Sequence, residues 1–287
     1  MPSWKDGLQL ECGPLSALSG NQGLDDGNRV RAPATWAARL MTNALVNAGV
    51  KVKGKAGSGR VLSTTRQVKR QYSARLAGIL KHMNKESDNF FAETLLKGLG
   101  KDFYGEGSTA VGTEASKAAL RALGVQDGTY VIEDGSGLSY GDRLRAEDVV
   151  RVLGAMRQRA DFDVYYDSLA IAGKDGTLHD RMRGTAAAGN AHAKTGTLNV
   201  AVCLSGYVES ANDHLVAFSI LMNGGSVGTS AWEEATKAQD KIVVALAKAS
   251  LPGEPLLAAT PVLRQHSVSA VEAVHGVGGL LKPGVQP

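Results

Sequence analysis

The sequence predicts an α/β protein of the α+β type, in which helices flank a mainly antiparallel sheet. Helical periodicity fills much of residues 33–156, and two alternating apolar segments, residues 191–208 and 214–224, follow close together. Runs of helices followed by neighbouring strands favour this class, because strands that are adjacent in sequence commonly pair antiparallel. With 287 residues, 43% hydrophobic and 21% charged, the chain can bury a large core and has an ordinary globular composition.

Helices are predicted where apolar residues recur at helical spacing between recognisable end signals. Pro33 starts the first helix and Gly49 ends it, since proline is favoured at the first helical position and glycine after the last. The predicted helices cover residues 33–48, 65–83, 90–98 or 90–100, 114–123, 146–156 and 232–248. Between them, residues 49–63 are predicted to form a short exposed hairpin, and residues 130–139 a strand that runs into a turn.

The segment Ala191–Val208 reads mostly as one strand, but it begins with residues that are unusual for a sheet interior. Val200, Val202 and Leu204 give the segment one more apolar face, whereas its start contains Lys194-Thr-Gly-Thr. A lysine, two hydroxyls and a glycine pack poorly inside a sheet. These groups are therefore either a solvated strand entrance or a set of side chains that holds a ligand.

A second polar segment, Ser87-Asp-Asn89, lies in a short connection between two apolar helices. Helix N-caps favour Ser, Asp and Asn, and Phe90 starts a helix, so an N-cap is the simplest interpretation of this segment alone. Lys194 alone would be interpreted as an exposed charge at a strand end. In this order along the chain, however, Ser87-x-Asn89 and Lys194-Thr-Gly match two of three signatures of penicillin-recognising acyl transferases.

Three longer stretches carry the resemblance further. They are residues 83–100 (MNKESDNFFAETLLKGLG), 134–144 (DGSGLSYGDRL) and 173–208 (GKDGTLHDRMRGTAAAGNAHAKTGTLNVAVCLSGYV). Together they resemble the D-alanyl-D-alanine carboxypeptidase/endopeptidase family of serine peptidases, the penicillin-binding protein 4 type, over roughly residues 28–248. The resemblance implies a β-lactamase/DD-peptidase-like fold that is incomplete at its N-terminal side.

The resemblance also implies a division of the chain into three parts. Residues 1–30 would be the remnant of an inserted domain, and residues 31–250 the C-terminal part of a penicillin-binding/transpeptidase-like domain. Residues 251–287, which are rich in Pro, Gly, Val and Ala, would form a loose C-terminal tail.

By the same resemblance, Ser87, Asn89 and Lys194 would act directly in catalysis on a peptide that ends in D-Ala-D-Ala. Ser87 would relay a proton to the leaving amine while it lies near Lys194. Asn89 would hold the substrate amide, because its side chain both donates and accepts hydrogen bonds. The neighbouring Lys85 and Glu86 are predicted to be solvated surface charges.

The start of the strand would bind the acidic end of the same peptide. Lys194 with the hydroxyls of Thr195 and Thr197 is a set of donors suited to a terminal carboxylate. Gly196 removes a side chain, so that the substrate can lie along the strand edge. By resemblance, the backbone N–H of Thr197 would also be one of two donors that stabilise the oxyanion.

Composition and spacing limit the other partners. The net charge of +4 is carried by dispersed residues, so no nucleic acid partner is predicted. Cys12, Cys203 and the six histidines lack metal or redox spacings, and the sequence therefore predicts neither a metal nor a cofactor. His192 is interpreted as an ordinary strand side chain at the shoulder of the cleft.

The expected location follows from the resemblance, because the sequence itself carries no export or membrane signal. Residues 1–15 lack the pattern of a signal peptide, and no run of 18 apolar residues predicts a membrane span. The intact parent enzyme is expected in the periplasm or outside the cell, in the cell envelope. Its expected partners are peptidoglycan stem peptides and β-lactams.

The third signature, Ser-x-x-Lys, supplies the nucleophile and a nearby amine, and the sequence does not contain it. The nearest match, Ser63-Thr-Thr-Arg66, ends in an arginine, which cannot accept a proton. We therefore expect a serine-type D-Ala-D-Ala carboxypeptidase/endopeptidase of peptidoglycan maturation, represented by a fragment that is inactive alone. Two alternatives stay open: a non-catalytic cell-wall-binding or regulatory remnant, and a β-lactamase-like hydrolase.

Overall fold

The computed structural model describes residues 4, 9–16, 18–224 and 229–253. The α-helices in these residues are α1 (Gln9–Cys12), α2 (Pro33–Asn47), α3 (Leu76–Glu86), α4 (Asn89–Tyr104), α5 (Thr109–Ala122), α6 (Ala146–Arg157), α7 (Phe162–Ser168) and α8 (Thr229–Lys248). Two short 3-10 helices cover Asn21–Gly23 and Gly176–Leu178. None of the described helices is both long enough and apolar enough to cross a membrane.

The described strands form two antiparallel sheets. They are β1 (Leu24–Asp25), β2 (Asn28–Arg29), β3 (Ala170–Ile171), β4 (His192–Leu198), β5 (Ala201–Glu209) and β6 (Leu215–Asn223). β1 pairs with β2, and the larger sheet has the order β3-β4-β5-β6, so each of its strands pairs with its neighbour in sequence. The predicted antiparallel sheet with flanking helices is confirmed.

The prediction of a single strand over residues 191–208 is wrong, because this segment is a hairpin of β4 and β5. Leu198 pairs with Ala201, and Lys194 pairs with Ser205, so the chain reverses direction at residues 199–200. The polar start of the predicted strand is therefore a strand of its own. Of the apolar residues that indicated one strand, Val202 and Leu204 belong to β5, whereas Val200 lies in the turn.

Helices cover both faces of the larger sheet. On one face, Leu204 of β5 packs against Val243 of α8, and both side chains are fully buried. On the other face, Tyr207 packs against Leu153 of α6 and Phe162 of α7, and its hydroxyl donates to the Leu153 carbonyl at 2.8 Å. Residues that alternate along β5 thus point to opposite faces, and burial on both sides makes this strand the centre of the core.

Several predicted element boundaries differ from the structure. Residues 49–63 contain no strand and residues 65–75 no helix, and nearly all of their side chains are exposed. Residues 130–139 hold only an isolated bridge between Val131 and Arg143. Short strands and helices need a surface against which their apolar side chains can pack. These segments have the apolar pattern but no such surface.

The predicted division into domains stays a prediction. The boundary at residue 30 falls within the described residues, directly before α2, but nothing in the structure tests whether residues 1–30 belong to an inserted domain. The predicted C-terminal tail, residues 251–287, lies outside the described residues after Gly253.

We expect Gly112→Ala in α5 to destabilise the protein by about 1–3 kcal/mol, the usual cost of overpacking. A Cβ at Gly112 would overlap the backbone carbonyl of Leu96 in α4, and backbone cannot rotate away. The matched control is Gly98→Ala in α4, where a Cβ would meet nothing within 4 Å. This control should stabilise the protein by about 0.5–1 kcal/mol, because alanine is the better helix former. Urea unfolding followed by circular dichroism measures both, and equal effects would contradict close contact between α5 at Gly112 and α4 at Leu96.

Candidate active site

Ser87 and Asp88 form the junction between α3 and α4. Ser87 ends α3 in the left-handed backbone region, with φ 56° and ψ 47°, which residues other than glycine adopt infrequently. Asp88 is the N-cap of α4, and its carboxylate accepts the backbone N–H of Phe91 at 3.0 Å. The capping role therefore belongs to Asp88, and the Ser87 hydroxyl contacts a different part of the chain.

The amine of Lys194, on β4, contacts this junction. Its Nζ donates to Ser87 Oγ at 2.7 Å and to the Thr195 carbonyl oxygen at 2.8 Å. Burial lowers the pKa of Lys194 from 10.5 to about 8, because the ammonium loses hydration. An amine that titrates near pH 8 exchanges a proton readily at neutral pH, and the Ser87 hydroxyl is within hydrogen-bond distance. The structure therefore brings together Ser87 and Lys194, which the sequence predicted to be neighbours.

β4 has an open edge along its polar residues. β3 pairs with β4 only at His192 and Ala193. From residue 194 to residue 198, β4 pairs with β5 on one side, and no described strand pairs with its other side. Gly196 and Thr197 are exposed in this stretch. An extended peptide can lie along this edge and form backbone hydrogen bonds with β4.

Thr195 makes a contact that the sequence analysis missed. Its Oγ1 donates to Thr177 Oγ1 at 2.9 Å, and Thr177 is an exposed residue of the 3-10 helix Gly176–Leu178. Because the Thr177 hydroxyl accepts this bond, its own hydrogen can point to a ligand. The candidate site therefore has two linked hydroxyls, one on Thr195, which follows Lys194 in β4, and one on Thr177 of the 3-10 helix.

Asn89 is the first residue of α4, and its side chain is half-buried. Its backbone carbonyl accepts from the Cys12 thiol at 3.8 Å, and burial raises the pKa of Cys12 to about 12. The next residue, Phe90, packs with Cys12 and Leu138, and Leu198 at the end of β4 packs against the same cluster. This apolar contact holds the start of α4 against the far end of β4.

The prediction that Lys85 is a solvated surface charge is wrong. Lys85 is only 7% exposed, and its Nζ donates to both carboxylate oxygens of Asp175 at 2.8 and 2.7 Å. Glu86, in contrast, is exposed, as predicted. The partner of Lys85 lies 90 positions further along the chain, so no local pattern indicated the ion pair.

The turn predicted at residues 134–139 is confirmed, and two carboxylates fix it. Asp134 accepts the backbone N–H groups of residues 137 and 139, each at 2.7 Å. Glu93, a fully buried residue of α4, accepts those of residues 135 and 136 at 2.8 and 2.9 Å. The role of Glu93 was missed because its spacing from the turn resembles no motif. These contacts tie the turn to α4.

His192 is a buried strand residue, in agreement with its interpretation from sequence. Its ring stacks on Tyr166, with ring centroids 3.9 Å apart, and Nδ1 lies 3.2 Å from the Tyr166 carbonyl oxygen. Burial lowers the pKa of His192, so the neutral ring is favoured at pH 7. Across the part of the chain that the structure describes, no cluster of three or more His, Cys, Asp or Glu residues could hold a metal ion.

Comparison with known proteins assigns the chain to a family. Residues 17–248 match the profile of the D-Ala-D-Ala carboxypeptidase 3 (S13) family. The chain belongs to this family. It is 39% identical, over 227 residues, to a D-alanyl-D-alanine carboxypeptidase of Actinomadura sp., a match that covers 76% of this chain and 40% of the relative. It is 30% identical, over 196 residues, to the D-alanyl-D-alanine carboxypeptidase DacB of Haemophilus influenzae, covering 67% of this chain and 41% of the relative.

The fold of this S13 chain is also that of a solved penicillin-binding protein. Penicillin-binding protein 4 of H. influenzae, in complex with a β-lactam, superposes with a TM-score of 0.66 at 26% identity. That match covers 75% of this chain and 52% of the solved chain. The S13 chain thus spans about 40% of the length of these two curated relatives and about half of the crystal structure.

We expect one lysine of the folded protein, Lys194, to titrate near pH 8. Because the protonated amine is disfavoured in the folded state, the free energy of unfolding should rise with pH from about 8 to the ordinary lysine value of about 10.4. Titration of proteins labelled with 13C at the lysine ε-carbon measures the first effect, and urea unfolding between pH 7 and 10 measures the second. Lys194→Met should lack both, and a wild-type protein without a lysine that titrates below pH 9.5 would contradict this assignment.

Proposed function

We propose that this chain provides the peptide-binding side of a serine-type D-Ala-D-Ala carboxypeptidase/endopeptidase of peptidoglycan maturation. The single observation that carries the proposal is the 2.7 Å hydrogen bond from Lys194 Nζ to Ser87 Oγ, beside the open edge of β4. It joins two motif residues that are distant in sequence. Membership of the S13 family, and relatives named D-alanyl-D-alanine carboxypeptidase, support the same activity.

In this proposal, the start of β4 binds the free carboxylate of the terminal D-Ala. The ammonium of Lys194 and the hydroxyl of Thr197 donate charge-assisted hydrogen bonds, which are stronger than neutral ones. Thr195 contributes through Thr177, because Thr195 Oγ1 donates to Thr177 Oγ1 at 2.9 Å and leaves the Thr177 hydrogen for the carboxylate. Gly196 keeps the strand edge clear of a side chain, so that the substrate backbone pairs with β4. An amide or ester in place of the carboxylate would remove the negative charge that this set of groups recognises.

The reaction cleaves the amide bond between the last two residues of the peptide. A serine hydroxyl attacks the carbonyl of the penultimate D-Ala and forms an ester, while the bond to the terminal D-Ala nitrogen breaks. The serine proton passes to a neighbouring amine, which returns it to Lys194 at the end of the cycle. That nitrogen receives a proton from Ser87, whose hydroxyl is reprotonated by Lys194. Water then hydrolyses the ester and restores the serine. The attacking serine is not assigned within this sequence, in which no serine precedes a lysine by three positions.

Two further groups would orient the reacting carbonyl. The Asn89 side-chain amide donates to and accepts from the substrate amide, which holds the peptide across the cleft. The backbone N–H of Thr197 donates to the oxyanion that forms during attack. Stem peptides of peptidoglycan, and β-lactams that resemble them, are the proposed ligands, and the cell envelope is the proposed location.

A non-catalytic cell-wall-binding or regulatory role is the second candidate, because the open edge of β4 beside Lys194 could bind a peptide without cleaving it. Both candidates predict that the 287-residue chain alone is not acylated. We expect no covalent labelling by a fluorescent penicillin, as measured by gel electrophoresis under denaturing conditions. A labelled band that is lost in Ser63→Ala would overturn this expectation.

We expect the chain to bind N-acetyl-L-Lys-D-Ala-D-Ala more tightly than the same peptide with a C-terminal amide. Lys194→Met should weaken binding of the acid roughly tenfold or more, since hydrogen bonds to charged groups contribute about 1.5–3 kcal/mol. It should leave the weak binding of the amide almost unchanged. Isothermal titration calorimetry or NMR titration at pH 7 measures these affinities.

The matched control for this experiment is Lys81→Met, which removes the same charge from an exposed position on α3. Its affinity for the acid should equal that of the wild type. Equal affinity of the wild type for acid and amide would contradict the proposed carboxylate site.

A further inference from the structure

Lys85 is a buried ammonium whose hydrogen-bond donors are all used. It lies in the last turn of α3, two residues before Ser87. Its Nζ donates to both oxygens of Asp175 at 2.8 and 2.7 Å, and to the Leu169 carbonyl at 2.8 Å. A lysine ammonium has three N–H donors, so these three contacts satisfy it completely. The contacts attach the end of α3 to the segment between α7 and the 3-10 helix Gly176–Leu178.

Asp175 in turn fixes the backbone of this segment. Besides binding Lys85, its Oδ1 accepts the backbone N–H of Ile171 in β3 at 2.9 Å. The next residue, Gly176, has φ +53°, and a Cβ there would lie 2.6 Å from the carbonyl oxygen of Lys85. Only glycine therefore allows this close approach to α3. The following residue, Thr177, accepts the hydroxyl of Thr195 at 2.9 Å.

These contacts connect Lys85 and Asp175 to both sides of the candidate site. Lys85 lies two residues before Ser87, whose Oγ accepts a hydrogen bond from Lys194 Nζ at 2.7 Å. Asp175 lies two residues before Thr177, whose hydroxyl accepts a hydrogen bond from Thr195, the residue after Lys194. The Lys85–Asp175 ion pair therefore joins the segment that contains Ser87 to the segment that contains Thr177.

We propose that the Lys85–Asp175 ion pair is a positioning device, which holds the Ser87 hydroxyl and the Thr177–Thr195 hydroxyl pair in register on either side of Lys194. This inference rests on the proposed function, since the hydroxyls matter for binding a peptide carboxylate. Lys85 and Asp175 do not touch the substrate. They act through Ser87 and Thr177, and are positioning residues.

A stabilising role and a positioning role predict different results when this pair, with its buried ammonium and its half-buried carboxylate, is replaced. Apolar residues of similar size often replace a buried ion pair without loss of stability, whereas removal of one partner leaves a costly unpaired charge. A pair that only stabilises would therefore be replaceable by two neutral residues with no effect on the site. If the pair positions the site, its replacement by two neutral residues displaces the Ser87 and Thr177 hydroxyls even when the stability of the protein is restored.

Three variants separate these cases: Lys85→Met, the double variant Lys85→Met/Asp175→Asn, and Lys81→Met as a control at an exposed position of α3. The Asp175→Asn change keeps a side-chain oxygen for the Ile171 N–H, and no unpaired charge remains in the double variant. The first readout is the ratio of affinities for N-acetyl-L-Lys-D-Ala-D-Ala and its C-terminal amide. The second is the titration of Lys194, which needs no ligand. Thermal unfolding shows whether each variant is folded.

We expect the double variant to regain most of the thermal stability that Lys85→Met loses. Its preference for the acid over the amide should nevertheless fall about tenfold, as for one misplaced charged hydrogen bond. Its Lys194 titration should move upward from about 8 by about one pH unit or more, because water reaches an amine whose surroundings have separated. Lys81→Met should match the wild type in both readouts.

A folded double variant with wild-type preference and wild-type Lys194 titration would overturn the inference. If the wild type itself does not distinguish acid from amide, the proposed function fails, and the Lys194 titration of the variants still decides whether the ion pair positions the site.

Discussion

The structure of the candidate site depends on one half-buried ammonium, that of Lys194, between a strand edge and the junction of two helices. Burial of a charge is unfavourable unless hydrogen bonds replace its hydration. Ser87 Oγ and the Thr195 carbonyl provide two such bonds, at 2.7 and 2.8 Å. Both acceptors are neutral, so the charge is only partly compensated and the pKa of Lys194 falls to about 8. The same interaction thus ties β4 to the α3–α4 junction and prepares the amine for proton exchange.

The rest of the fold holds this amine in place. Helix α8 and helices α6 and α7 bury opposite faces of the sheet, which fixes the direction of every side chain on β4 and β5. Gly206 lets β5 lie close to β4, because a Cβ there would overlap the carbonyl of His192. At the opposite end of β4, Leu198 packs into the cluster of Cys12, Phe90 and Leu138. The strand is therefore fixed at both ends, while its middle keeps an open edge.

The sequence was sufficient to predict the features that leave a local or motif pattern. Helices with an apolar stripe, the antiparallel sheet and the pairing of Ser87 with Lys194 were all predicted. The hairpin over residues 49–63 was wrong, because alternation alone does not show whether a partner surface exists to bury the apolar face. The Lys85–Asp175 pair was missed for the converse reason. It joins residues 90 positions apart, and only tertiary packing turns a lysine of ordinary appearance into a buried one.

Lys85, which is buried, and Lys194, which is half-buried, differ in the groups that surround their ammonium. Lys85 donates to a carboxylate and a carbonyl, so its positive charge has a permanent negative partner within 2.7 Å. Lys194 donates to a hydroxyl and a carbonyl, and in the proposed function its negative partner is the carboxylate of the bound peptide. A bound carboxylate would favour the protonated amine, so that ligand binding and proton uptake are linked. Lys85 is thereby suited to hold α3 and the segment of Asp175 together. Lys194 is suited to take up a proton when a carboxylate binds.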